Sequence, residues 1–261
     1  MKLLLCPNGY NKKQSEQAKE CIRILSQVCG HECSLSLNDS LSLYGVSDYN
    51  AFSAADCDII VSLGGDGSVL RAAVTAIDAD KPLIGINSGR LGYLCAVDLA
   101  HVESFNSVVS GAEPASRSLL EVTLGGRVHY ALNDITAAKE RFGQTVDLTV
   151  TIDGEKPTKI RGDGLIISTP TGSTAYNLSS GGPVIDPSTD VYALTPICPH
   201  GKSIPPLVLS SARAVRIFER DNAAQIYADG ADIGRISGEL TVRVSSRTLS
   251  LYTGKSPLAF E

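Results

Sequence analysis

The chain has no tract of basic residues, no apolar run of membrane-spanning length and no partner for its one cysteine–histidine cluster. Each absence removes a class of function. Net charge is −5, and without a Lys/Arg cluster no nucleic-acid partner is expected. A helix needs about 20 consecutive apolar residues to cross a bilayer; no segment approaches that, so no membrane partner is expected either. Met1-Lys2-Leu3-Leu4-Leu5-Cys6 starts like a signal sequence, but the run breaks at Pro7-Asn8-Gly9, too short for an apolar signal core. Seven cysteines, an odd number at scattered spacing, argue for reduced thiols in a cytoplasm rather than a disulfide framework. Cys29-Gly30-His31-Glu32-Cys33 looks like half a metal site, and nothing with ligand spacing completes it. Cys29 instead extends the apolar stripe of Ala18, Cys21, Ile22, Leu25 and Val28, and is read as a core thiol. No metal-ligating side chains are assigned. Internal repeats and low-complexity stretches are also missing.

What is present describes an ordinary globular protein. With 261 residues, 43% hydrophobic and 20% charged, the chain has ample core for one large domain or two small ones. The first hundred residues alternate strand and helix: Leu3–Cys6, Gln14–Cys29, a weak strand at Ser34–Leu37, Asp58–Leu63, Ser68–Ala79 and Leu83–Ile86. That rhythm predicts a parallel sheet with ligand loops at the strand C-terminal ends. A short helix at Val102–Val109 precedes a boundary at Gly111–Pro114. Beyond it the period becomes two. Leu120, Val122 and Leu124 alternate before a Gly125-Gly126 turn, and Val146, Leu148, Val150 and Ile152 alternate before Asp153-Gly154. Val215, Ile217, Gln225–Ala228 and Leu240–Val244 continue the pattern. The expected domains are therefore 1–112, α/β, and 113–248, all-β with two packed sheets. Residues 249–261 remain as a C-terminal segment whose own pattern names no partner and which could return to the first domain.

The most informative stretch is Leu63-Gly64-Gly65-Asp66-Gly67-Ser68, between the apolar run Ile59-Ile60-Val61 and the helical pattern Val69, Leu70, Ala73, Val74, Ile77. A strand turning through glycines into a helix N-terminus presents free backbone N–H groups and a positive dipole end to phosphate. The carboxylate of Asp66 would be repelled there, unless it takes a proton from a nucleophile or helps hold a cation. Glycines plus acid thus suggest phosphoryl transfer. The same residues would also make a plain tight turn with Asp66 as the helix cap. The loop is neither a Walker A sequence nor a dinucleotide fingerprint. Asn87-Ser88-Gly89-Arg90-Leu91-Gly92 lies at the same sheet edge, as a second wall or only a turn.

A second constellation spans Gly162–Tyr176. A second Gly-Asp-Gly leads into an apolar strand, followed by the hydroxyls of Ser168, Thr169, Thr171, Ser173 and Thr174 and by Tyr176. Hydroxyls and N–H groups at a helix start can hold ribose, phosphate or carboxamide, and Tyr176 could stack on a ring. The alternative is a Ser/Thr-rich loop that caps a helix, with Tyr176 in the core. Asn133-Asp134, after a strand at Val128–Leu132, offers an amide beside a carboxylate, which suits a sugar diol; an Asx turn is the alternative.

Together these segments resemble the NAD kinases, which phosphorylate the adenosine-ribose 2′-hydroxyl of NAD to give NADP. Gly64-Gly65-Asp66-Gly67 is similar to the family's GGDG motif, and Asn133-Asp134 stands where the family usually has Asn-Glu. Gly162–Tyr176 with Gly181-Gly182 is similar to its long glycine-rich motif. Gly89–Leu94 and Thr195-Pro196-Ile197-Cys198-Pro199-His200 also match family segments. The resemblance runs from about Cys57 to Asp229. It implies a Rossmann-like α/β N-terminal domain, a β-sandwich C-terminal domain and an active site between them. It also implies Mg²⁺ or another divalent cation, ATP or polyphosphate as donor, and a homotetramer or homodimer. Carried over, Asp66 would be the general base, and Gly64, Gly65 and Gly67 would admit the donor phosphates. Asn133 and Asp134 would hold the ribose. Thr174, Ala175, Tyr176, Asn177 and Ser179 would line the nucleotide pocket, with Asp229 among the binding residues. Arg161, Asp163 and Cys198 would approach NAD from a neighbouring subunit.

Three positions depart from the family pattern. Asp134 is one methylene shorter than the usual Glu, Ala231 replaces a frequent Gln, and Pro205 replaces a frequent Arg. The last removes a cation that could meet donor phosphates. Two other readings share part of these features. A lipid kinase of the diacylglycerol or sphingoid type shares GGDG but predicts an apolar pocket, and a non-catalytic NAD(P)-binding regulator predicts a dispensable Asp66.

Overall fold

A computed structural model describes residues 1–7, 12–36, 52–89, 92–201, 204–219, 224–236 and 238–254. The chain divides into two compact units, one formed by residues up to Arg117 with those from Leu249, the other by Ser118–Thr248.

The first unit contains β1 (Lys2–Pro7), α1 (Lys12–Arg23), β2 (Glu32–Leu35), β3 (Ile59–Leu63), α2 (Asp66–Ala79), β4 (Leu83–Asn87), β5 (Val97–Asp98) and α3 (Phe105–Gly111). Its strands run parallel in the order β2-β1-β3-β4, with β5 beside β4. Every residue of β3 and β4 is buried, which explains their mostly apolar sequences: helices cover both faces of such sheets. Leu3, Leu5, Leu63, Ile84 and Ile86 pack with Ala18, Ile22, Leu25 and Phe105.

Several boundaries differ from the sequence reading. The helix expected over Gln14–Cys29 is regular only to Arg23 and continues as a π-helical turn, Ile24–Val28. Cys29 N–H closes that turn on Ile24 O at 3.0 Å, so Cys29 ends the stripe rather than lying deep within it. The weak strand falls at Glu32–Leu35, and Leu37 lies outside the described residues. The segment expected as one helix at Val102–Val109 is a 3₁₀ turn, Leu99–Ser104, followed by α3. The second helix begins at Asp66 rather than Ser68, capped by Gly65.

In the second unit the strands are β6 (Ala115–Leu124, entering from the first unit), β7 (Arg127–Ala131), β8 (Asp134–Lys139), β9 (Val146–Ile152), β10 (Thr158–Gly162), β11 (Gly164–Ser168), β12 (Val191–Ile197), β13 (Leu207–Ser210), β14 (Ala214–Glu219), β15 (Ala224–Ala228), β16 (Ala231–Arg235) and β17 (Gly238–Tyr252). One sheet has the order β13-β12-β11-β8-β15-β16, all antiparallel. The other runs β10-β9-β14-β17, with β6 joining β17 and carrying β7. Inward residues of both sheets, among them Ile135, Ile167 and Leu194 facing Val150, Ile217 and Val242, share one core. Period-two alternation had foreseen this packing. The fold is thus the expected α/β unit followed by an all-β one. Gly125-Gly126 makes the expected hairpin and Asp153-Gly154 the expected turn, with positive φ at both residues of each.

The last strand serves both units. Leu251 and Tyr252 pair in parallel with Leu83 and Ile84 of β4, and Tyr252 is buried in the first unit's core. Among the described residues no helix is long and apolar enough to cross a membrane.

Gly85 of β4 has no room for a side chain: a Cβ there would lie 2.8 Å from Val69 Cγ2 and 3.0 Å from Cys95 Sγ. Gly85→Ala is expected to lower unfolding free energy by about 1–3 kcal/mol through overpacking, read from urea denaturation. An unchanged midpoint would mean that α2 yields at no cost.

Candidate active site

In the first unit the glycine loop is built from the sheet outward. Gly64 N–H donates to Ile86 O at 2.9 Å and Ser88 N–H donates to Gly64 O at 3.3 Å, so the loop is bound to the end of β4. Gly64 has φ +145°, a conformation that favours glycine. Asp66 does not cap its helix. Its Oδ2 accepts from Tyr93 N–H at 3.0 Å and its Oδ1 from Leu94 N–H at 3.1 Å. A Cβ on Gly92 would lie 2.1 Å from Asp66 Oδ1, so this grip requires glycine there. Of the segment read as a second wall or a turn, Asn87–Gly89 closes a turn on the Asn87 side chain, and Arg90 and Leu91 lie outside the described residues; the backbone that holds the acid follows it, at Tyr93 and Leu94. A carboxylate offers about four acceptor positions, so two backbone bonds fix Asp66 without using it up. Cys95 donates to Gly64 O at 3.7 Å; burial, aided by the nearby Asp66, pushes its thiol up to about 12. It is no nucleophile at neutral pH.

In the second unit the organising group is Asp229. It begins the β15–β16 turn with φ +49°, and its N–H donates to Asp134 O at 3.0 Å. Its Oδ2 accepts from Leu132 N–H at 2.7 Å, and its Oδ1 from Asn133 and Asp134 N–H at 2.7 and 3.1 Å. Burial raises its carboxyl from the ordinary 3.8 to about 7; the three N–H donors pull the other way, and nearby Asp134 adds to the rise. Asp229, expected among the binding residues, thus shapes the corner that carries Asn133 and Asp134.

That corner has unused groups. The Asn133 side-chain amide makes no hydrogen bond among the described residues. Asp134 Oδ1 accepts from Thr136 Oγ1 at 2.9 Å, leaving Oδ2 without such a bond. Both residues are buried, and burial shifts the Asp134 carboxyl upward.

The hydroxyl-rich segment divides into scaffold and open groups. Thr169 Oγ1 donates to Leu132 O at 2.6 Å and accepts from Gly172 N–H at 3.0 Å. Ser168 Oγ reaches Asn133 O and Thr169 O, while Ser173 Oγ bonds Pro170 O and accepts from Ile185 N–H. These three hydroxyls, read from the sequence as ligand groups, are consumed inside the fold. Asn177 requires the same correction. It is fully buried; its amide donates to Ser173 O and Pro183 O, and its oxygen accepts from Thr195 Oγ1 at 2.7 Å. It knots the loop, and its amide is spent inside the fold. The helix expected here is only a 3₁₀ turn, Thr171–Thr174, and a four-residue helix, α4 (Tyr176–Ser179). Tyr176 is not core: it is 47% exposed. Thr174 and Ala175 are half-buried and Ser179 is exposed.

Burial raises the Tyr176 hydroxyl, and Cys198, Asp163 and Asp134 raise it further, against Lys139. These are through-space charge effects on the hydroxyl. Lys139 Nζ donates to Asp163 Oδ1 at 2.6 Å. Sequence reading missed Lys139: only the antiparallel pairing of β8 with β11 brings residues 24 apart together. Arg161 is exposed on β10 with a loose ion pair to Asp147 at 3.8 Å. Cys198 is an exposed free thiol at φ +43°. Ala231 and Pro205 are both exposed. No three His, Cys, Asp or Glu side chains gather as a metal cage among the described residues. Nucleotide-borne Mg²⁺ asks only one or two carboxylates besides phosphates and water, a demand that the glycine loop with Asp66 fits.

The ATP-NAD kinase N-terminal domain family model matches residues 6–111, and the ATP-NAD kinase C-terminal domain model matches 132–253. The NAD kinase of Clostridium beijerinckii is 34% identical over 227 residues, 82% of this chain and 80% of that protein. The chain belongs to the NAD kinase family. It is a kinase, which sets aside the lipid-kinase and regulator alternatives. The crystal structure of yeast NADH kinase complexed with NADH is similar with a TM-score of 0.79 at 25% identity, covering 94% of this chain and 80% of that one. The Archaeoglobus fulgidus NAD kinase in complex with ATP gives 0.75 at 26% identity, covering 97% and 93%.

The raised Asp229 carboxyl predicts a pH signature. A folded value above the unfolded one adds stability below the unfolded value, and that stability is lost as pH rises through the folded value. Asp229→Asn lacks this contribution and turns an N–H₂ toward a backbone donor. The wild type should therefore exceed the variant in unfolding free energy by about 2 kcal/mol more at pH 5 than at pH 8, read from denaturant titrations. A difference independent of pH would show that Asp229 is ionised throughout.

Proposed function

We propose that this protein phosphorylates the 2′-hydroxyl of the adenosine ribose of NAD, giving NADP, with Asp66 as general base and ATP as donor. The observation that carries the reading is the carboxylate of Asp66, fixed by two backbone donors at the start of a 14-residue helix inside a glycine loop.

A ribose hydroxyl is a weak nucleophile at neutral pH. As its oxygen bonds to the terminal phosphorus, the proton passes to Asp66 and the bond to the leaving phosphate breaks, releasing ADP. Backbone N–H groups of Gly65 and Gly67 and the dipole of α2 favour the donor's anionic groups. The free amide of Asn133 and the unused Oδ2 of Asp134 grip the ribose diol. Thr174, Ala175, Tyr176 and Ser179 line the base pocket, with Tyr176 as its stacking face. Asn177 and Asp229 act by holding these groups in place. Mg²⁺ or another divalent cation, when bound, neutralises phosphate charge; Asp66 would hold it with an oxygen position left over from the backbone bonds. Positioning and charge neutralisation dominate such transfers.

The shorter Asp134 makes its ribose contact longer or water-bridged. With Pro205 in place of Arg, donor choice between ATP and polyphosphate rests on the glycine loop. The seven free cysteines support work in a reducing cytoplasm. The family likeness supports a homotetramer or homodimer in which Arg161, Asp163 and Cys198 approach a neighbour's NAD.

Asp66→Asn is expected to fold and bind NAD while losing about 10²- to 10⁴-fold in turnover. The assay is NADP formation with Mg²⁺, with ATP and polyphosphate tried separately. Near-normal turnover would remove Asp66 from the proton transfer. No product from the folded wild type with either donor would sink the reading.

A further inference from the structure

We propose that Arg71 binds the phosphoryl donor, its guanidinium folded back over the glycine loop to receive phosphate oxygens. That chemistry is shared by a nucleoside triphosphate and a polyphosphate chain. The inference rests on the NAD-phosphorylation reading and adds to it a residue that selects the donor.

Arg71 is the one Lys or Arg between Asp58 and Ile77. It lies in α2, which begins at Asp66. Side chains of a helix lean toward its N-terminus, over the residues three and four positions earlier. Here those are Ser68 and Gly67. Arg71 Nη2 donates to Ser68 Oγ at 3.0 Å. A Cβ on Gly67 would meet only Arg71 Nη1, at 3.9 Å, and one on Gly65 would meet nothing within 4 Å among the described residues. The loop is thus open on this side, with an exposed guanidinium at its edge.

For a cation this is the unfavourable end of a helix. The N-terminus already carries about half a positive charge, and its cap, Gly65, supplies no side-chain acceptor. A chain of phosphates turns that conflict into attraction, because the dipole and the guanidinium then act on the same anion. Asp66 puts a negative charge at the same helix start, where it repels phosphate, and Arg71 offsets it. The planar fork of five N–H donors matches phosphate oxygens in pairs. The Ser68 bond engages one of those donors and fixes the plane of the fork.

The experiment measures initial rates of NADP formation with Mg²⁺ for the wild type, Arg71→Met and Arg71→Lys, with ATP and NAD varied in turn. Met and Lys are helix formers close to Arg, and Arg71→Gln replaces the Met variant if that does not fold. Arg71→Met should raise the KM for ATP about ten-fold, the size of one charged hydrogen bond, and leave the KM for NAD within about two-fold. Arg71→Lys keeps the charge without the fork and should recover part of the loss. Calorimetry in Mg²⁺ with ATP and with inorganic tripolyphosphate separates the two sources of phosphate. A similar loss of affinity for both places the guanidinium on phosphate; a loss for ATP alone places it on the nucleoside and overturns the inference. An unchanged KM for ATP, a rise shared equally by NAD, or a Lys variant no better than Met would each overturn it as well. If the wild type forms no NADP, the functional reading fails instead. Tripolyphosphate binding then decides the present point: a Kd about ten-fold weaker in Arg71→Met upholds it, and equal or absent binding overturns it.

Discussion

One carboxylate holds the second unit's polar corner together. Asp229 gathers the backbone N–H groups of three successive residues, Leu132 to Asp134, at the point where β7 ends and β8 begins. Chain turning so sharply inside a protein leaves donors that water cannot reach, and such donors must be answered. Here the answer comes from a hairpin turn nearly a hundred residues away along the sequence. Because the backbone bonds are met in this way, the Asn133 side chain and Asp134 Oδ2 are left without a hydrogen bond among the described residues. Thr169 and Gly172 then close over the same corner from the loop after β11, and a Cβ on Gly172 would strike Asn133 O at 2.2 Å.

The same distinction, between polar groups that are spent and those that are not, sorts the whole site. Ser168, Thr169, Ser173 and Asn177 are spent on the fold, whereas among the described residues the Asn133 side chain, Asp134 Oδ2 and the Tyr176 hydroxyl are not. In the first unit Asp66 belongs to an intermediate class: each of its oxygens is anchored once and retains capacity. An anchored acid of this kind loses little orientational freedom when a substrate arrives, which is where much of enzymatic rate enhancement resides.

Much of this was legible beforehand, and the reasons are local. Period-two alternation from Leu120 onward, the Gly125-Gly126 and Asp153-Gly154 turns, and the buried runs of β3 and β4 are short-range patterns that backbone geometry enforces. The glycine loop and the Gly162–Tyr176 segment identified the family. What sequence could not supply were pairings across long separations. The anchoring of Asp66 by Tyr93 and Leu94, the capture of the 132–134 backbone by Asp229 and the Lys139–Asp163 contact all depend on which strands lie side by side. Hydroxyl-rich composition was read too generously for the same reason: Ser173 and Thr171 look alike in the sequence, and only packing shows that one is enclosed.

The crossing of β17 from one unit to the other has a consequence for biosynthesis. The first unit holds the opening 117 residues, yet its sheet gains Leu251 and Tyr252 only from the far end of the chain. As the polypeptide leaves the ribosome, all the strands of the second unit emerge before that last piece. The edge of β4 must wait, unpaired along Leu83 and Ile84, while the later unit is translated. Order of synthesis and order of completion are thus opposed, and the nascent first unit presents an open parallel edge for chaperones to shield.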